Sequence, residues 1–153
     1  MLQANKIEWR SGYMPLIIGG IGMMGSALFM PWLTVVSPFA GAVTRTGIQL
    51  RDGKLFALAL IALAVVARSE AYRPSASTRT ALLIGLVVLG FAGIVEYRDL
   101  TSVVGDFTAE GAQARLGFGI FAMGLGLTFS IAGLLKRRIA VQAIEEQAEQ
   151  FVA

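Results

Sequence analysis

The feature that most constrains this chain is the stretch YMPLIIGGIGMMGSALFMPWLTVV, Tyr13 to Val36, more than twenty residues without a charge. Three stretches of similar character follow: LFALALIALAVVA from Leu55, ALLIGLVVLGFAGIV from Ala81 and LGFGIFAMGLGLTFSIAGLL from Leu116. A helix needs about 20 mostly apolar residues to cross the hydrocarbon core of a bilayer. The first and last stretches reach that length alone. The middle two gain it from their ends. Asp52 stands where an N-cap would open a helix at Gly53. Lys54 and Arg68 can bury their stems and lift their charges to opposite interfaces, with Tyr72 following at headgroup depth. Thr78, Arg79 and Thr80 before the third stretch, and Tyr97 and Arg98 after it, play the same part.

The alternative, a soluble bundle of buried helices, asks too much of 153 residues that are 56% hydrophobic and 15% charged. A soluble domain carries about 25% charged residues, and a short chain has too little interior to hide so much apolar surface. The fold class expected is all-α: a polytopic membrane protein, one domain, built as a four-transmembrane-helix bundle with short extracytoplasmic loops. The spans fall at about 13–36, 53–72, 79–97 and 116–135, with a cytoplasmic helical tail over 136–153. The first span exceeds the apolar core of a secretory signal and no A-x-A site follows it, so it reads as a retained helix.

Lysine and arginine in the loops set the orientation. Eight of the 13 lie at the N-terminus, in the 68–80 loop and in the tail, where Lys136, Arg137 and Arg138 follow the fourth span directly. Five lie in the other two loops: Arg45, Arg51, Lys54, Arg98 and Arg115. The expected placement is the plasma (inner) membrane of a bacterium, with both termini cytoplasmic. Trp9 and Tyr13 would mark the inner boundary of the first helix and Trp32 its outer boundary, with Tyr72 and Tyr97 as further aromatic anchors.

Lipid offers no hydrophobic drive between helices, so small residues are the natural contact points. The expected packing faces are Gly19, Gly22 and Ser26 on the first helix, Gly90 and Gly93 on the third, and Ala122, Gly126 and Ser130 on the fourth. The alternative is that one of these faces meets another protein. In the first outer loop TRTGIQLRDG alternates weakly, which suggests a short strand and a small β-hairpin with part of WLTVV. In the second, the third helix continues outward to about Val104, where Gly105 stops it. Glu96, Arg98 and Asp99 cluster at that exit, either as an interfacial ion pair or as part of a ligand mouth. In the tail, Ile144, Ala148 and Phe151 share one helical face.

The missing chemistry narrows the function. Histidine and cysteine are absent, which removes the commonest general base, the usual haem and zinc ligand and all thiol chemistry. No ionisable residue is expected deep inside a span, which disfavours a proton-coupled carrier. The GFG and GLG runs lack a preceding strand and read as membrane-helix glycines. No catalytic residue, metal site or cofactor is expected; bound lipid is compatible with so apolar a surface, and nucleic acid is not a partner at a net charge of +3.

PWLTV closing the first span, DG opening the second and EYRDL at the exit of the third resemble small four-helix membrane proteins of actinobacteria. The topology is also similar to that of claudins, which carry a tryptophan in an extended first outer loop; the paired loop cysteines of that family have no counterpart here. The resemblance implies a four-helix bundle with an outer cap. The function expected is a non-catalytic accessory or scaffold subunit of a larger membrane assembly, respiratory or transport, with partner contacts at Phe39, Arg45, Arg51, Glu96, Arg98, Asp99 and Phe151. The alternatives are a small self-associating transporter or channel, and a lipid-modifying enzyme using Glu96, Arg98, Asp99 and Asp106.

Overall fold

The computed structural model describes residues 13–37, 41–72 and 75–152, the last stretch by backbone alone from residue 137 onward. In chain order the elements are α1 (Tyr13–Ala27), β1 (Pro31–Ser37), β2 (Gly41–Thr46), a 3-10 turn (Gly47–Gln49), α2 (Gly53–Tyr72), α3 (Ala76–Ala109), β3 (Gln113–Leu116) and α4 (Phe118–Val152). The protein is mostly helical, with four helices and a small three-stranded sheet. Three helices, α2, α3 and the Phe118–Lys136 part of α4, are long and apolar enough to cross a membrane.

The first span differs from its expected bounds of 13–36. The helix stops at Ala27, after 15 residues. The amides of Leu28, Phe29 and Met30 bond back to Gly25, Ser26 and Ala27 in one tightened turn, at 3.3, 3.1 and 3.1 Å. Pro31 then has no N–H to give, and it disfavours helical backbone at Met30. Beyond it Thr34, Val35 and Val36 are β-branched, and such side chains suit an extended backbone. Hydropathy is blind to this change because the strand is as apolar as the helix.

The sheet is antiparallel, in the order β2-β1-β3. The first loop does form a hairpin with β1, but its second strand is Gly41–Thr46, so that only residues 44–46 of the expected TRTGIQLRDG segment are strand and Gly47–Gln49 is a 3-10 turn; Val35 stands opposite Val43 and Thr34 opposite Thr44. The third strand was not expected; it comes from the second loop and sets Ala114 against Val35. Between Pro31 and Leu33 the β1–β2 register slips by one residue. Trp32 is the extra residue of that β-bulge. A bulge re-aims one side chain, and here two successive residues, Trp32 and Leu33, are both buried.

Helix α3 also runs past its expected stop. Gly105 lies inside the helix, which ends only at Ala109. The Gly111 amide bonds to Thr108 O and the Ala112 amide to Phe107 O, the paired closure of a Schellman motif. Gly111 supplies the positive φ of 83° that this closure requires. Leu100 and the flanking Val103 and Val104 explain the extension, since they pack into the apolar cluster beneath the sheet.

Helices α1 and α4 form the tightest contact and run antiparallel, with Tyr13 against Gly133 and Ala27 against Gly119. The α1 residues involved are Tyr13, Ile17, Gly20, Met24 and Ala27, all buried. Their 4-3-4-3 spacing is that of a left-handed helix seam. Facing them, a Cβ on Gly126 would stand 2.6 Å from Gly20 O and 2.9 Å from Met24 N. Ser130 is wholly buried and its hydroxyl donates to Gly126 O at 3.0 Å. This corrects the face expected on the first helix. Gly19 and Gly22 have nothing within 4 Å of where a Cβ would sit, and Ser26 is exposed, its hydroxyl donating to Gly22 O. The seam is one residue round the helix from the glycine pattern, because Ile17 and Met24 interlock with it while Ile18 and Met23 face out.

Candidate functional site

The end of the bundle that carries the sheet holds most of the distinctive residues. Trp32 is its centre. Only 1% of its surface is exposed, so it is a buried keystone rather than the lipid–water anchor expected from sequence. Its indole Nε1 donates to Ala27 O at 2.7 Å, satisfying a carbonyl at the end of α1. Its ring stands 6.3 Å from that of Phe56 on α2. Cβ atoms on Gly47 or Gly119 would collide with it. One side chain thus joins the bulge, the 3-10 turn and the facing ends of α1, α2 and α4. Beside it Gly117 N–H bonds to Trp32 O and Ile48 N–H to Leu28 O, both at 2.8 Å.

This gives a direct expectation. Trp32→Phe removes one of the two donors on the Ala27 carbonyl, which keeps the Met30 amide, and should cost about 1 kcal/mol; Trp32→Ala adds a large cavity and should cost about 4 kcal/mol. Thermal melts in mild detergent would resolve that order. In a Trp9→Phe background the remaining tryptophan should be shielded from iodide quenching, whereas an interfacial anchor would be quenched.

Strand β2 is exposed over nearly its whole length, and Arg45 on it borders a cavity of about 420 Å³ between the sheet and the outer part of α3, where Val43, Val103 and Phe107 form the walls. Arg51 is exposed just before α2. On α3, Glu96 is half-buried and feels the like charges of Asp52 and Asp99. The ion pair expected among Glu96, Arg98 and Asp99 is not formed: among the described residues the one ion pair is Arg79–Glu70, at the opposite end of the bundle. The reason is placement, since Glu96 lines the crevice between α2 and α3 with Asp52 while Arg98 and Asp99 lie on the exposed side of the helix.

The other predicted residues disperse. Tyr13 is buried against α4, whereas Tyr72 and Tyr97 are exposed and suited to an interface; the Arg68 guanidinium lies 5.3 Å over the Tyr72 ring. Gly90 meets Leu127 of α4, and together with Gly93 it borders a smaller crevice of about 270 Å³ between α3 and α4. Ala122 is buried on α4. Trp9, Phe39 and the Phe151 side chain lie outside the described residues.

Sequence reasoning does not single out Glu70. It lies near the end of the candidate span α2, two residues before Tyr72, and is only 1% exposed. Its carboxylate accepts from Arg79 Nε at 3.0 Å, from the Ser75 amide at 3.0 Å and from the Thr78 hydroxyl. Ser75 and Thr78 in turn form a reciprocal capping box at the start of α3. The signal was present: Phe56, Leu60, Leu63 and Ala67 form the buried stripe of α2, and Glu70 is its next position.

Fold and site together define a class, a membrane-type helical bundle with a bulged antiparallel sheet locked onto one end. Compared with known proteins, the chain matches no family model, no curated protein and no solved structure.

Proposed function

We propose that this protein is a non-catalytic accessory or scaffold subunit of a larger membrane assembly, docking through its sheet. The observation that carries the reading is a rigidly mounted sheet with an uncovered edge. Among the described residues the strand order leaves β2 unpaired on one side, Val43 on it is 51% exposed, and Trp32 locks its neighbour β1 to three helix ends. An uncovered edge strand is a template for another chain's strand, and Arg45 adds a charge that can select the partner.

In this reading the protein lies in the plasma membrane, crosses it four times and keeps both ends in the cytoplasm with the sheet outside. The loop charge bias supports the orientation. The 15 residues of α1 rise about 22 Å, and the Leu28–Met30 turn with the buried Trp32 lengthens that column toward a full crossing. Because the chain has no cysteine, single cysteines report topology cleanly. Thr44→Cys should react with an impermeant maleimide on intact cells, and Ser77→Cys only after permeabilisation; the reverse pattern overturns the orientation.

Photo-crosslinking residues placed along β2 test the function. The expected result is one heteromeric product of fixed ratio, lost in Val43→Lys and Arg45→Glu. A product at twice 16.3 kDa would instead support the self-associating transporter, and no product at any β2 position would overturn docking through this edge.

A further inference from the structure

We propose that the crevice between α2 and α3 binds a single-chain cationic amphiphile, its alkyl chain along the crevice and its headgroup at the sheet end between Asp52 and Glu96. This goes beyond the docking role and does not rest on it.

The first argument is size. The crevice is an open-sided groove of about 540 Å³ that runs along α3 from Ala81 to Glu96. At 1.5 Å per residue that path is about 22 Å, long enough to hold one extended alkyl chain end to end. Small residues make the space: Ala59 and Ala62 on α2 face Gly85 and Ala92 on α3. Leu63 of α2 packs over Gly85, where a Cβ would stand 2.7 Å from Leu63 Cδ2, so the crevice has a closed floor there.

The second argument is charge. The lining is apolar except at the sheet end, where Asp52 and Glu96 enter it. Neither forms an ion pair among the described residues, and Asp99 adds a further like charge near Glu96. Carboxylates at the mouth of an apolar slot favour a positive headgroup and repel a negative one, and they do so more strongly next to lipid than in water because the local dielectric is low. The chain length and the charge then select together: the tail fixes the depth of the molecule, and the depth places its head beside the acids.

The full-length protein in a neutral maltoside detergent would be titrated with hexadecyltrimethylammonium and with hexadecyl sulfate, and adducts read by native mass spectrometry and thermal shift. The expected result is a one-to-one adduct with the cationic probe, at least tenfold tighter than any with the anionic one. Ala62 is exposed on the crevice side, so Ala62→Phe should abolish the adduct while leaving the melting temperature of the free protein unchanged. Asp52→Asn with Glu96→Gln should keep chain binding and remove the charge preference. Equal binding of both probes by the native protein, or an adduct that survives Ala62→Phe, overturns the proposal. So does an Ala62→Phe variant that loses a crosslinked partner helix where the native protein takes up no amphiphile.

Discussion

Gly20→Leu is expected to prevent the bundle from assembling, whereas Gly19→Leu and Gly22→Leu are expected to be tolerated. A Cβ on Gly20 falls on the main chain of α4, at Gly126 O and Ser130 N, and on the Ser130 hydroxyl. Backbone cannot swing aside as a side chain can, so the helices must separate. In lipid, separation is costly because close backbone packing is the main source of helix association. Overpacking a fitted core costs about 1–3 kcal/mol, and with backbone on the far side the upper end or more is expected. A Cβ on Gly19 or Gly22 meets nothing within 4 Å; leucine there removes a helix-weakening glycine, and at Gly22 it has the crevice between α1 and α2 to enter. Folded yield and resistance to SDS unfolding, followed by far-UV circular dichroism, would separate the three variants. Equal behaviour of Gly20→Leu and Gly22→Leu would contradict the α1–α4 seam.

Glu70→Ala is the second large expected effect. The carboxylate is buried and gathers an amide, a hydroxyl and a guanidinium across the α2–α3 turn. Removing it leaves the Arg79 charge without its partner and the Ser75 amide with only its longer bond, 3.3 Å, to the Thr78 hydroxyl. Breaking a buried pair costs about 3–5 kcal/mol; because the Arg79 side chain is 43% exposed, solvent screens part of this, and about 3 kcal/mol is expected. Arg79→Ala should cost about 1 kcal/mol, since water can reach the vacated position and the other two donors remain. Replacing both residues with leucine should cost less than the two single changes summed, the mark of a coupled pair. Additive losses in the same SDS titration would show that Glu70 acts independently of Arg79.

Both predictions lie at positions where periodicity was readable but composition pointed elsewhere. On α1 the pattern of glycines drew attention to Gly19, Gly22 and Ser26, while the 4-3-4-3 spacing of Tyr13, Ile17, Gly20, Met24 and Ala27 was equally present in the sequence. Choosing between two apolar faces requires knowing which one the partner helix fits, and that depends on α4, more than 100 residues away. Glu70 was obscured differently. It lies among Arg68, Arg73 and Arg79, so it reads as one more loop charge unless the stripe from Phe56 is followed to its end.

The sequence by itself determined that the chain is helical and apolar and that its apolar stretches alternate with charged loops, and it suggested a hairpin in the first outer loop. Those properties follow from local causes: long uncharged runs, charges gathered between them and a weak alternation of apolar and polar residues. Only the tertiary structure decided that α1 ends at Ala27, that β3 crosses from the second loop to join the hairpin, that Trp32 turns inward through a bulge and that Asp52 and Glu96 share one crevice. Each of these depends on surfaces brought together from distant parts of the chain, and an apolar residue carries the same hydropathy whether lipid, a strand or another helix covers it.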